Sequence, residues 1–342
     1  MMEARLLHPD AIPWERLDAF GDRTVFQTRE WLAFIAEAQR AQPVVAELRE
    51  GSDVAGYFTA LTIERFGVRI LGSSFPGWTT PYVGFNLVEG ASRQEALAAA
   101  ERLAFGALKC LHLEISDRHF TPEDGAALGF LHKFYDSYET DLRQTEEQIF
   151  GRMNSACRRC IRKAEKSGVT VAEAHDAEFA AEYYQQLQDV FAKQNLVPTY
   201  SVERVRALVR HLLPSGRLLL VRALAPDGKC IGTGIYPGFN RVAEFWGNAS
   251  LRSMQILRPN ETLHWYAMRY WKARGVEVFD WGGGGTYKEK YGPAPVAVPW
   301  FYKSRYKILG VMRDQAKNAV RLKQVLLGRL RPKTAPPEKD DE

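Results

Sequence analysis

Residues 279–293, FDWGGGGTYKEKYGP, set four consecutive glycines directly ahead of Tyr287, Lys288, Lys290 and Tyr291. Glycines at a strand end let backbone approach another backbone or a ligand closely. The phosphate-loop pattern G-x-x-x-x-G-K-[ST] is not met, because no hydroxyl residue follows Lys288. The residues beyond do not read as the helix of a nucleotide-binding crossover either. What remains is a strand end carrying two lysines that suits an anionic group, or an ordinary exposed loop with solvated lysines. If the stretch is extended, alternate side chains point the same way.

Other chemistries leave little trace. There is no G-x-S-x-G elbow and no H-E-x-x-H zinc helix. Cys157-Arg-Arg-Cys160 has redox and zinc spacing, yet both cysteines fall on the apolar side of an expected helix, and no second Cys/His pair has metal spacing. Buried structural cysteines and no metal are expected. With Cys110 and Cys230 there are four cysteines in all, too few for a disulfide framework.

The elements that must position the glycine–lysine stretch come in two similar sets. VVAELREGSDVAGYFTALTIE (44–64) and RLLLVRALAPDGKCIGTGIYPG (217–238) each read as strand, tight turn, strand. Each hairpin is followed by a helix running into a strand, over 92–116 and 260–282, the second with Asn260 as N-cap and Gly275 as C′ residue. Between the halves, 146–168 reads as one amphipathic helix. Ile149, Phe150, Met153, Ala156, Cys157, Cys160, Ile161 and Ala164 lie on one side, and Arg152, Arg159, Arg162, Lys163 and Lys166 on the other. The 342 residues are too many for one compact core, and two related domains fit the repeat. We expect domains over 1–145 and 146–312, then a basic helix and disordered tail over 313–342. That tail either packs on the body or contacts an anionic membrane surface.

A formal net charge of +5 does not announce a nucleic-acid binder, and no DNA partner is expected. Neither a signal peptide nor a membrane-spanning run is legible, so a cytoplasmic protein, at the inner membrane face if the tail binds there, is expected.

RRCIRKAEKSGV, LRPNETLHWYAMRYWKARG and FDWGGGGTYKEKYG, in that order, resemble the FemABX-like group of the GNAT acyltransferase superfamily. FQTREWLAF and GWTTPYVGF extend the resemblance to the amino-terminal half. It implies an α/β (α+β) fold of two tandem GNAT-like domains, each a mixed, mostly antiparallel sheet flanked by helices. It also implies an N-acyltransferase working by direct attack, with acyl-CoA or aminoacyl-tRNA as co-substrate and no tightly bound cofactor. The acceptor would be an amine of a small or lipid-linked glycan or peptide from cell-envelope or exopolysaccharide synthesis. A catalytically silent scaffold recruited to a membrane-associated complex is the alternative.

Residue by residue, Tyr287-Lys288 and Tyr291-Gly292 match the family's aromatic–Lys and aromatic–Gly pairs, so Lys288 inherits stabilisation of the reaction centre. Arg159 matches the arginine of the Arg-x-Ile-basic segment, and Arg162 and Lys163 continue that face as phosphate binders. Arg258 and Asn260 stand at a helix entrance suited to an anion. Lys290 either supports Lys288 or is solvated. Trp78 and Tyr82 either line an acceptor groove or plug a loop. For the general base, Asp280 and Glu244 are strand carboxylates, with Tyr236 and His264 as further candidates; purely structural roles for Asp280 and His264 compete with this. Two departures stand out. SMQILRPNETL occupies the place of the pyrophosphate loop R/Q-x-x-G-x-G/A, and no lysine follows Gln27 and Trp31, which weakens a uridine-diphosphate-sugar acceptor.

Overall fold

Both expected hairpins form, as Gln42–Glu50 with Asp53–Arg65 and Leu218–Leu224 with Cys230–Phe239. The computed structural model describes residues 1–306 apart from 66, 74, 76, 193–195 and 284. The basic helix expected over 313–342, with its membrane contact, lies outside the described residues. In the first hairpin Gly56 is obligatory: a Cβ there would stand 2.2 Å from the Asn86 carbonyl oxygen of the adjoining strand Gly84–Leu87.

The hairpins belong to one 14-stranded sheet flanked by helices. Its pairings are antiparallel except Val68–Gly72 with His112–Ser116 and Val242–Glu244 with Val278–Asp280. The carboxyl-terminal strand Ala294–Ser304 lies between His112–Ser116 and Leu131–Asp141, and Leu131–Asp141 in turn pairs with Val278–Asp280. Strands from the two ends of the chain thus alternate at the centre. The mixed, mostly antiparallel α/β fold expected from sequence is the fold observed.

Packing joins the halves as well. The helix Val202–Leu212 buries Val205, Leu208, Val209 and Leu212, an i, i+3, i+4, i+7 stripe. That stripe shares an apolar cluster with Trp31, Phe34 and Ile35 of the helix Arg29–Gln39. Each such buried side chain contributes about 1.5–3 kcal/mol.

Two local expectations need correction. The helix over 146–168 is two helices, Glu146–Arg152 and Ser155–Lys166. Met153 between them is extended, and the Asn154 side chain caps the second by accepting from the Cys157 N–H at 2.8 Å. A side chain that competes for helical N–H groups ends one helix and begins another. The apolar face survives the break, with Ile149, Met153, Cys157, Ile161 and Ala164 buried. The second correction is the start of Pro259–Lys272: Arg258, at φ 58°, is the N-cap and Pro259 takes the first turn. Asn260 already lies inside the helix. Among the described residues, no helix is long and apolar enough to cross a membrane.

Candidate active site

The parallel pairing of Val242–Glu244 with Val278–Asp280 ends with Glu244 opposite Asp280. The chain resumes as Gly247–Ser250, which pairs with Cys230–Phe239 and no longer with the neighbouring strand. Two backbones that run together through residues 244 and 280 therefore part beyond them. The opening holds a cavity of about 360 Å³. Glu244, Asn248, Gly282, Gly283 and Lys288 line it from the second half, and Gly77 and Thr79 to Pro81 line it from the first. One backbone edge of Gly247–Ser250 has no strand partner among the described residues, and Gly247 and Asn248 line the cavity.

The glycine run shapes the opposite wall. Gly282 adopts φ 65°, a region glycine enters without strain, and Gly283 lies so close to Tyr135 that a Cβ would meet its ring at 2.6 Å. Thr286–Tyr291 follows as a 3₁₀ turn rather than an extended stretch. With three residues per turn, Lys288 and Tyr291 face inward together, while Tyr287, about half exposed, lines the cavity.

Lys288 is buried and donates to the carbonyl oxygens of Trp281, of Gly282 at 3.1 Å and of Gly283 at 3.0 Å. All three of its N–H bonds are thereby committed. Burial lowers its pKa, and the neighbouring Glu244 and Asp280 charges oppose that. Lys290 is bound to Glu261 at 2.6 Å.

The two carboxylates differ. Asp280 accepts from Ser137 at 2.7 Å, from the Gly282 N–H at 2.8 Å and from Tyr82 at 3.0 Å, with Arg118 at 3.7 Å. Glu244 is equally buried, lines the cavity, and keeps Oε2 without a hydrogen-bond partner. Burial, then the Asp280 charge, pushes its pKa well above the ordinary carboxylate range; Lys288 and Arg118 pull the other way. An unpaired, desolvated carboxylate with a raised pKa, in a cavity wall, is a candidate acid–base group.

The other predicted residues fall in different places. Tyr236 and His264 hydrogen-bond one another at 2.9 Å inside the core, and burial holds His264 neutral, its pKa down at about 3. Tyr291 stacks on Trp281 with ring centroids 4.4 Å apart. Trp78 and Tyr82 are buried, so their loop lines the cavity without those side chains. Of the two alternatives for these side chains the buried one is seen: the Tyr82 hydroxyl donates to Asp280 and receives from Arg118 at 2.8 Å. Arg159, Arg162 and Lys163 are exposed or nearly so on Ser155–Lys166 and do not line the cavity. Asn260 accepts from the cavity residue Asn248 at 2.9 Å, which ties the start of Pro259–Lys272 to the opening; Arg258 makes no side-chain cap. Sequence reasoning missed Tyr135, Tyr183, Tyr200 and Trp246, which also line the cavity, because they come from separate elements and form no local motif.

A strand pair that splays open beside a buried carboxylate is the feature to compare with known folds. Residues 151–292 match the family model described as acetyltransferase (GNAT) domain. FemX superposes with a TM-score of 0.72 at 13% identity, over 87% of this chain and 96% of its own. A tandem GNAT protein from the clavulanic acid biosynthesis pathway gives 0.53 at 12% identity, over 89% and 98%. The carboxyl-terminal domain of a putative lysylphosphatidylglycerol synthetase from Agrobacterium fabrum gives 0.50 at 11%, over 75% and 84%. No curated protein matches the chain significantly in sequence. In fold the chain is similar to FemX, and its residues 151–292 carry the match to the GNAT domain.

Proposed function

We propose that the protein is an N-acyltransferase that passes an acyl or aminoacyl group from a carrier to an amine, with Glu244 as general base. The observation that carries this reading is the buried Glu244 side chain in the lining of the cavity, one of whose carboxylate oxygens has no hydrogen-bond partner. The acceptor nitrogen loses its proton to Glu244 as it attacks the acyl carbon, and positioned acid–base groups of this kind contribute about 10²–10⁴-fold. The unpaired edge of Gly247–Ser250 offers N–H donors to the developing oxyanion.

Lys288 then acts through the loop. It fixes the carbonyls of 281–283 and keeps positive charge beside the reaction centre, rather than donating directly, since its hydrogens are already bound. Asp280 positions the loop through the Gly282 N–H.

The carrier is acyl-CoA or aminoacyl-tRNA, and the acceptor an amine of an envelope or exopolysaccharide precursor. The GNAT match and the FemX-like fold support both carriers. The start of Pro259–Lys272, near Asn248, suits a carrier phosphate, and the basic face of Ser155–Lys166 suits more distant phosphates. A thermal-shift screen of CoA thioesters against charged tRNAs tests the reading. One carrier class should raise the melting temperature and transfer its acyl group; no shift and no transfer with either would sink it.

A further inference from the structure

Part of the cavity wall is aromatic. Tyr183 comes from the helix Phe179–Ala192, Tyr200 from the segment ahead of Val202–Leu212, and Trp246 from the break between the strands Val242–Glu244 and Gly247–Ser250. Ring centroids are 5.3 Å apart for Tyr200 and Trp246 and 6.5 Å for Tyr183 and Trp246. Polar hydrogens among these rings are unspent. Tyr183 and Tyr200 share one hydrogen bond, oxygen to oxygen at 2.7 Å, so one of their two hydroxyl hydrogens has no acceptor among the described residues. The Trp246 Nε1–H has no partner, although the residue is only 4% exposed. Burial raises the pKa of both phenols, so both stay protonated.

Arg204 stands over two of these rings, 5.4 Å from the centre of Tyr200 and 5.8 Å from that of Trp246. It donates to the carbonyl oxygens of Gly77 and Trp78 and to the Thr79 hydroxyl, all neutral, and its Nε has no partner. Arg23, the other buried arginine among the described residues, has Asp18 at 2.8 Å; no carboxylate pairs with Arg204 there. Burial lowers its pKa only to about 10, so the guanidinium is charged at neutral pH.

A buried cation without a counter-charge, beside donors without acceptors, is costly, and one anionic group can answer all of them. A carboxylate fits: its two oxygens can accept from an indole N–H and a phenol O–H together. Glu244 lines the same cavity of about 360 Å³. A small molecule with an amine at Glu244 and a carboxylate at Trp246 would match both charges. The carrier entrance suggested above, at Asn248 and Asn260, leaves this aromatic part to the acceptor. We propose that Trp246 Nε1–H and the free hydroxyl hydrogen of the Tyr183–Tyr200 pair bind a carboxylate of the acceptor, with Arg204 as counter-charge behind the rings, so that the acceptor is of the amino-acid class. This rests on the transferase reading above.

Matched acceptors test it: glycine, β-alanine and lysine against their carboxamides, with acetyl-CoA and alanyl-tRNA as donors. The carboxamide has the less basic amine, more of it neutral at neutral pH, so chemistry alone favours the amide. Wild type should instead prefer at least one acid over its amide by about 10–100-fold in kcat/KM, the size of hydrogen bonds to a charged group. Trp246→Phe should raise KM for that acid about tenfold, leave kcat alone and change the amide by less than about threefold. Arg204→Gln should likewise raise KM for the acid and spare the amide; a merely structural role would affect both. Amides used as well as acids by wild type, or equal losses for acid and amide in Trp246→Phe, overturn the proposal. Succinyl-CoA beside acetyl-CoA covers the other source of a carboxylate: a succinyl preference that Trp246→Phe removes would give the site to the acyl group and overturn the proposal. If Trp246→Phe does not fold, Tyr200→Phe takes its place under the same criteria. No transfer to any of these amines or to hydroxylamine from either donor would overturn the transferase reading itself. The subsite is then judged by thermal shift with the N-acetylated acids and their amides: stabilisation by an acid alone, lost in Trp246→Phe, upholds it, and no such difference overturns it.

Discussion

Glu244 and Asp280 stand opposite one another in a parallel strand pair, both buried, yet every polar demand of Asp280 is met while Glu244 keeps an oxygen with no partner. Two like charges in direct register raise each other's cost of ionisation. The pair is tolerated because Arg118 and Lys288 flank it. One carboxylate is fully satisfied by its neighbours and the other is not.

Replacing Glu244→Gln should therefore separate activity from stability. Steady-state kinetics should show kcat falling by about 10²–10⁴-fold. Denaturant unfolding should show a fold as stable as wild type or more so, because a costly buried charge is gone. A variant that retains full turnover would remove Glu244 from the mechanism.

The pH profile follows from the same residue. Its folded pKa is raised, so Glu244 accepts a proton only when pH exceeds that elevated value, and kcat/KM should rise with pH through an acid limb above the ordinary carboxylate range. Asp280→Asn leaves the burial that chiefly raises it but removes the charge that adds to it, and should move the limb to lower pH. Stability runs oppositely. The folded state holds this proton above the unfolded pKa, so the contribution is full at low pH and is lost as pH rises toward the folded pKa. The stability difference between wild type and Glu244→Gln, followed by denaturation from pH 4 to pH 8, should widen with pH by about the linkage amount. A flat difference would contradict the raised pKa.

Lys288→Met keeps the stem and removes the ammonium, stranding the carbonyls of Trp281, Gly282 and Gly283. Unmet buried acceptors should cost about 2–3 kcal/mol. Amide exchange in residues 281–283 should speed up along with the loss of turnover. Loss of turnover with an unchanged exchange pattern would argue that Lys288 contacts substrate directly.

Gly283→Ala places a methyl 2.6 Å from the Tyr135 ring, and something must shift. The Tyr135 ring should leave its place, with transfer activity lost and the far-ultraviolet spectrum kept. Unchanged activity would show that the ring's position against Gly283 is not needed.

The basic face of Ser155–Lys166 can be tested apart from the chemistry. Arg159→Glu combined with Arg162→Glu should raise KM for the carrier several-fold, more at low salt, and leave kcat alone, since rim charges act through screened attraction. An unchanged KM at low ionic strength would take both arginines out of carrier binding.

Much of this molecule is legible in one dimension. Alternating strands, tight turns and capped helices follow from local sterics and periodicity, so the hairpins, the basic face and the glycine–lysine stretch all read directly. Local chemistry misled where two similar codes compete. Asn154 offered its side chain to Cys157 and broke a helix that periodicity alone would continue. Thr286–Tyr291 coiled into a 3₁₀ turn, a conformation the sequence had left open. The choice between Asp280 and Glu244 was invisible in sequence, since both read as strand carboxylates. Partners 143 and 198 residues away, Ser137 and Tyr82, satisfy Asp280, and the parting of two strands leaves Glu244 unsatisfied. Sequence by itself determined which residues carry charge and how each segment folds locally. Tertiary structure decided which of those charges meets a partner, because desolvation and hydrogen bonding depend on neighbours that only the folded sheet brings together.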